Sequence, residues 1–285
     1  MLMNCRTDMA VEAHAISCMI DNSGNEIEGV KLNVERRGFL TVSSVEILDH
    51  RGELKLNKPV GKYFTADIEG RFERGSEQFS AAAQCVADLI CSCADINADT
   101  KVLIAALGNP DITPDALGSL AASNIIVTRH LKESGHDFDL FSSVALCRTG
   151  VLGTTGSESA LQLKALCEFI RPDLIIAIDA LAGADYCRLC RSIQVSNSGI
   201  APGSGVGNSR ESLCESTLGV PVIAIGAPTV IDASAFSGDN AFSGMFVTPR
   251  DIDSSVRSLA KLIAYGINLA VHKALSVSDI DMLVG

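Results

Sequence analysis

Asp179 follows an unbroken apolar run, Leu174–Ile178, of the kind that makes a strand covered on both faces of an α/β sheet. An ionisable group at the carboxyl end of such a strand lies at the edge where open α/β sheets hold ligands. Asp115 has a similar address. It comes soon after a second buried run, Lys101–Leu107, within Thr113-Pro114-Asp115, where Thr113 suits an N-cap and Pro114 a first helical position. Macrodipole chemistry would also explain an acid in a first helical turn, so it is the address that singles Asp115 out. Asp232 is a third acid, beyond the run Val220–Gly226, and Asn109 sits in the turn after Leu107. His130, beside the apolar run Asn124–Thr128, is a candidate acid, base or ligand. Gly203-Ser204-Gly205-Val206-Gly207 has the composition of a phosphate cradle. It lacks both the dinucleotide spacing and the Lys-Ser/Thr ending of a P-loop, which favours a substrate-side or turn role.

Two carboxyl groups held close cannot both ionise easily. One keeps a proton and the other acts as a base toward water, which is acid/base hydrolysis without a metal. Asp115, Asp179 and His130 around a metal ion is the alternative, although their spacing makes no local ligand motif. A non-enzymatic binder built on the loop 203–207 is a third reading. The chain contains no G-x-S-x-G elbow and no H-E-x-x-H. Its ten cysteines are scattered, and Cys187-Arg188-Leu189-Cys190 has no partner cluster at zinc spacing.

The elements that must position these groups alternate. A helix is expected from a cap at Thr7 or Asp8 to about Met19. Strands follow at 27–35 and 41–48, then a turn at Asp49–Gly52 and extended chain at 58–65. Helical periodicity runs over 77–94 and from a Thr248 cap to about His272, and Pro172 ends a helix that begins near Ser157. A short helix holding Cys187 and Cys190 is expected after Asp179, and another over 209–217. This pattern predicts an α/β fold: one doubly wound domain with a mainly parallel central sheet and a β-rich N-terminal edge or annex.

Bulk properties narrow the function classes. A 285-residue chain with 47% apolar residues can bury a large core. A net charge of −11, without a basic stripe and without Trp, opposes binding to nucleic acid. No apolar run is long enough to span a bilayer and the start lacks a signal-peptide segment, so a cytoplasmic protein is expected.

Several long motifs resemble the germination protease (spore protease) family of spore-forming Firmicutes. They are Arg6–Ala13, Lys58–Gly61 with Tyr63 and Thr65, Leu107–Gly118, Val127–Leu131, Val151–Gly156, Pro172–Ala182, Ser198–Asn208 and Thr217–Ala233. The resemblance implies an atypical aspartic endopeptidase, hydrogenase-maturation-peptidase-like in fold and homotetrameric. Such an enzyme degrades small acid-soluble spore proteins in the spore core during germination. No cofactor or metal is implied. By motif the two essential aspartates fall on Asp115 and Asp179, with Asn109, His130, Gly205 and Asp232 as supporting candidates. The family is made as a self-cutting zymogen, and the matching bond here is Asp8–Met9. This divides the chain into a short propeptide-like segment, 1–8, and one peptidase domain, 9–285. Asp8-Met9-Ala10-Val11-Glu12 is itself similar to the acidic–apolar–Ala–x–Glu pattern cut in the substrates. The chain is short for the family, chiefly between Asp232 and Thr248, and rich in cysteine.

Overall fold

The computed structural model describes residues 6–21, 26–70, 72–135, 141–208, 210–237 and 240–284. Helix α1 (Ala10–Asp21) leads into an antiparallel meander of β1 (Val30–Arg37), β2 (Leu40–Ile47), α2 (His50–Leu56) and β3 (Gly61–Ile68). Then come α3 (Glu77–Cys93), β4 (Lys101–Leu107), a 3-10 turn at Thr113–Asp115, α4 (Leu117–Ala122) and α5 (Arg129–Glu133). β5 (Ser143–Gly150), α6 (Leu152–Thr155), α7 (Ser159–Ile170), β6 (Leu174–Gly183) and β7 (Ser192–Ser196) follow. A 3-10 turn at Ser204–Val206, α8 (Glu215–Leu218), β8 (Val222–Asp232), α9 (Ser234–Ser237), β9 (Phe246–Val247), α10 (Ile252–Val271) and α11 (Val277–Val284) complete it.

The strands form one mixed sheet in the order β1-β2-β3-β7-β8-β6-β4-β5, with β9 beside the end of β8. β8, β6, β4 and β5 run parallel, and the β7, β3, β2, β1 side is antiparallel. The β-rich beginning is therefore the edge of the main sheet. From β4 the chain crosses to β5 on one side. It returns to β6 on the other side of β4, so the order reverses between β4 and β6. Their carboxyl ends diverge there and leave a crevice, the usual ligand position in such sheets.

Both faces are covered. On one, α3, α4 and α10 bury a continuous core that includes Ile104, Ile176, Ile178, Ile225 and Tyr265. On the other, the apolar cover is split into two. One patch packs α7 and α8 on Leu103, Ile175 and Val222; the second packs α1 and α2 on Val45, Ile47 and Tyr63. Between the patches runs a row set by strand register: Asp179 beside Gly226, Gly226 beside Gln194, and Gln194 beside Thr65. Residues in register on adjacent strands share a face. Polar side chains and a glycine thus take the place of core in the middle of this face.

Five local expectations are corrected. β6 does not end at Asp179 but continues to Gly183, because β8 runs alongside it as far as Ile231. The Cys187–Cys190 stretch is accordingly a set of turns and not a helix, with Cys187 exposed and Cys190 buried, both free thiols. The helix expected over 209–217 shrinks to α8, since Ile200 and Leu213 exchange backbone hydrogen bonds that hold the preceding chain extended. Asp49–Gly52 begins a helix, because the Asp49 carboxylate accepts the Arg51 and Gly52 N–H groups as an N-cap. The last long helix starts after Asp251, following a turn in which Ile252 N–H reaches the Pro249 carbonyl. Among the described residues no helix is long and apolar enough to cross a membrane.

Candidate active site

A cavity of about 1090 Å³ opens at the divergence of β4 and β6 and extends over the polar row. Asp115, Asp179, Gln194, Gly205, Gly226 and Asp8 all line it. Asp179 is 4% exposed. β4 pairs with β6 only as far as Ala106 beside Ile178, so Asp179 is the first residue of β6 without that neighbour. The position read from the sequence therefore holds, although the strand itself continues.

Asp115 reaches the same place from the 3-10 turn after β4. Two glycines permit this. Gly108 has φ +89°, and a Cβ there would fall 2.0 Å from the Asp115 carbonyl oxygen. Gly118 presses α4 onto the strand ends, with a Cβ position 2.5 Å from the Leu107 oxygen and 2.6 Å from that of Ile178. The Asn109 N–H donates to Asp115 Oδ2 at 2.8 Å, and the Asn109 side chain accepts from Asp111 N to close the turn. Asn109 thus shapes the loop that carries Asp115. Thr229, buried on β8, donates to the Pro114 carbonyl at 2.7 Å, and Thr113 donates to Asp253 on α10. The turn is thereby tied to both the sheet and the helix layer.

The two carboxyls differ electrically. Burial pushes the Asp179 pKa well above the ordinary carboxylate value, and the charge of Asp115 pushes it further; the Ala180 N–H, held by Asp179 Oδ1, opposes, and the charge of Asp8 adds a smaller upward push. Burial also raises Asp115, less deeply enclosed, while the Asn109 N–H works downward. Both carboxyls are thus raised, Asp179 the more strongly because it is the more deeply buried.

The other sequence candidates divide. Gly205 lies on the cavity wall, and a Cβ there would stand 2.1 Å from Asp8 Oδ2. Asp8 and Met9 are at the site: Asp8 in the cavity, Met9 fully buried beside it. Asp232 is outside the lining. Burial raises its pKa, but hydrogen bonds from Ser234 and Gly244 outweigh this and hold it below the usual value, so it closes a loop. His130 is exposed on α5. That helix follows Thr128, whose N–H bonds Val144 at the amino end of β5, the opposite end of the sheet from Asp115. His130 therefore cannot join Asp115 and Asp179 around a metal ion. Among the described residues no three His, Cys, Asp or Glu side chains are grouped to hold one.

Gln194 escaped the sequence reading. Its amide donates from Nε2 to the Asp8 carbonyl at 3.1 Å and accepts at Oε1 from Ala10 N–H at 2.7 Å. The available signal was a glutamine inside Ser192–Ser196, a strand buried on both faces. Lys58 donates to the Thr7 carbonyl. Burial lowers its pKa, and the charges of Asp8 and Glu12 oppose this. Glu12 is buried, accepting from Ala184 and Asp185 N–H and from Thr7 Oγ1.

Known proteins match this chain closely. The family model described as germination protease matches residues 6–243. The germination protease of Caldanaerobacter subterraneus is 37% identical, over 99% of each chain. That of Clostridium tetani is also 37% identical, over 98% of this chain and 99% of the relative. The Bacillus cereus protein is 34% identical over 96% of this chain and 76% of its own length. Among solved structures, the hydrogenase maturation protease HycI of Thermococcus kodakarensis aligns with 65% of this chain and 99% of its own, with 19% identity and a TM-score of 0.38. That likeness adds nothing to the topology described above. Matched through most of its length by the family model and through nearly all of it by these relatives, the chain belongs to the germination protease family and is a peptidase.

Proposed function

We propose that this protein is an atypical aspartic endopeptidase that begins the breakdown of small acid-soluble spore proteins during germination. It is made as a zymogen that cuts itself between Asp8 and Met9, and it activates water with Asp115 and Asp179. The observation that carries this reading is the convergence of two electrically unequal carboxyls and the Asp8 residue in one cavity at the divergence of β4 and β6.

In the reaction, ionised Asp115 takes a proton from a water molecule as its oxygen bonds to the scissile carbonyl carbon. Asp179 gives its proton to the carbonyl oxygen, forming a neutral gem-diol. Asp179 then recovers that proton as the carbonyl reforms, and Asp115 passes its own to the departing amine. The C–N bond breaks, and both acids return to their starting states. Burial of Asp179 favours its protonated form, the state this role asks of it. The spore-protein substrate, the homotetramer and action in the spore core are carried by family likeness. Residues 1–8 are the segment removed, and 9–285 the mature peptidase.

The test replaces Asp115 and Asp179 singly with Asn and assays cleavage of a purified small acid-soluble spore protein, with and without exhaustive chelation. Loss in both variants, with chelation harmless to the parent protein, is expected. Near-normal activity in either variant sinks the pair, and loss on chelation points to a metal. N-terminal sequencing of the active enzyme is expected to begin at Met9.

A further inference from the structure

Thr7 stands between two groups that its departure leaves facing each other. Its hydroxyl donates to Glu12 Oε2 at 2.5 Å and accepts from Met9 N–H at 3.0 Å. A single oxygen atom therefore separates the Met9 nitrogen from a carboxylate. Glu12 is 3% exposed and Met9 is fully buried. Glu12 also accepts from Ala184 N–H at 2.7 Å and from Asp185 N–H at 3.2 Å, the first two residues after β6. Among the described residues no lysine, arginine or histidine pairs with it. Arg188, whose charge reaches it, is bonded to Asp67 and Asp185, and Lys58 donates to the Thr7 carbonyl. Burial raises the Glu12 pKa, against the opposing pull of the Thr7, Ala184 and Asp185 donors. A buried acid in these surroundings lacks a positive partner.

Hydrolysis of the Asp8–Met9 bond changes both the donors and the charge at this point. One water is consumed. The Asp8 carbonyl carbon becomes a carboxylate, and the Met9 nitrogen, an amide with one hydrogen, becomes an ammonium with three. As residues 1–8 leave, Glu12 Oε2 loses the Thr7 hydroxyl and the Ala182 carbonyl loses the Asp8 N–H that it held at 2.9 Å. The Ala182 carbonyl lies 3.5 Å from that same hydroxyl. The space the hydroxyl filled is thus lined by two vacated acceptors, one of them charged, beside a nitrogen that has just gained donors. That nitrogen is not free to drift. Ala10 N–H stays on Gln194 Oε1 at 2.7 Å, Ser17 Oγ stays on the Lys55 carbonyl at 2.7 Å, and Ala10 and Val11 stay in the apolar patch beneath α1. The dipole of α1 disfavours a positive charge at this end, and an acid in the first turn is the group that offsets it.

We propose that Glu12 is the binding site for the α-ammonium group that processing creates at Met9, with the Ala182 carbonyl as its second acceptor. This rests on the self-cutting reading of the Asp8–Met9 bond. The new ion pair takes over from the departing segment: Thr7 and Asp8 tie the N-terminal layer to β6 before the cut, and Met9 with Glu12 does so after it. Glu12 goes on holding Ala184 and Asp185 N–H as a full carboxylate, which fixes the end of the strand that carries Asp179. An uncut chain cannot form the pair, because an amide nitrogen carries no charge. Glu12 acts through β6 and is a positioning residue.

The test uses the full-length chain, purified and allowed to process itself. The pH dependence of trace acetylation at the Met9 amine is read by mass spectrometry. In the processed parent this amine is expected to titrate about one pH unit or more above the ordinary α-amino value of about 8. In Glu12→Gln it is expected at or below that value, with kcat/KM on a peptide copying residues 3–14 lower by at least about 10-fold, the scale of one hydrogen bond between charged groups. Glu12 belongs to the sequence that is cut, so a second set of chains carries a foreign protease's recognition sequence in place of residues 5–8 and is released before Met9 by that protease. A release that leaves one glycine ahead of Met9 is expected to behave as Glu12→Gln does. An ordinary value in the processed parent, the result if Lys58 turns to the carboxylate instead, overturns the proposal. So does an elevation that survives Glu12→Gln, or a glycine-extended enzyme as active as the parent. An active parent that still begins at Met1 overturns the self-cutting reading on which the pair rests, whereas an ordinary Met9 amine after release by the foreign protease overturns the pair alone.

Discussion

Replacing Gly118 with alanine tests whether the two acids are held together by a close backbone approach. The new Cβ would fall 2.5 Å and 2.7 Å from the oxygen and nitrogen of Leu107, and 2.6 Å from the oxygen of Ile178. All three atoms belong to the backbones of β4 and β6, central strands that cannot yield. Ordinary contact begins at 3.4 Å, so α4 must lift by about 0.9 Å, a misplacement that costs on the order of 100-fold in rate when it reaches reacting groups. Ala116 joins α4 directly to the 3-10 turn, so Asp115 rises with the helix and away from Asp179. Overpacking also destabilises, by roughly 1–3 kcal/mol. The assay is kcat and KM on the peptide copying residues 3–14, with calorimetric melting to correct for folded fraction. We expect kcat down about 100-fold, KM within a few-fold, and a melting point lower by several degrees. Ser119→Ala on the same short helix is the control and is expected to be silent. A Gly118→Ala enzyme with kcat within threefold of the parent would refute the reasoning, because the Asp115 position would then not depend on this contact.

Other outcomes follow from the same geometry. The pH–rate profile is expected to be a bell: its acid limb reports ionisation of Asp115 and its alkaline limb the loss of the Asp179 proton, both above the ordinary carboxylate value. A raised folded-state pKa means that Asp179 favours folding most below its unfolded value and that this contribution is lost as pH rises through the folded one. Asp179→Asn, which keeps an oxygen for Ala180 N–H, should therefore abolish cleavage yet melt progressively higher than the parent between pH 4 and pH 8, about 1.4 kcal/mol for each unit of elevation removed; parallel melting curves across that range would count against it. Thr229→Val leaves the Pro114 carbonyl without its donor and is expected to cost about 1–3 kcal/mol in stability and to lower kcat about 10-fold; an unchanged kcat would free the turn from this tether.

What could be read from the sequence was local. Leu174–Ile178 and Lys101–Leu107 are dense apolar runs, and both are central strands. The helical faces of α3 and α10 repeat strongly enough to be placed by periodicity. The addresses of Asp115 and Asp179 followed from those runs. Gln194 did not, because its role depends on register between β7, β8 and β6, and non-local pairing leaves no mark in a five-residue strand. His130 was misjudged for a related reason. The run before it resembles a strand, but the chain there lies at the amino end of the sheet, and nothing near His130 in the sequence distinguishes the two ends. The helix expected after Asp179 failed because β8 is longer than its apolar stretch and draws β6 along with it.

The divided apolar cover on the cavity face has a mechanical consequence. α1, α2 and the β1–β3 meander share a small patch of their own, and the polar row separates it from the patch under α7 and α8. Besides the sheet and the continuous core behind it, the hydrogen bonds of Asp8 and Glu12 to Ala182, Ala184, Asp185 and Ser204 connect the N-terminal layer to the rest. A layer with its own apolar patch, joined across this face by those few bonds, can swing open as a local unit at a fraction of the cost of global unfolding. Amide hydrogens in β1 and α1 should then exchange with deuterium well before those of β4 and β6. The cleft would admit a bulky protein chain by loosening its N-terminal wall while the floor that carries Asp179 stays closed to exchange.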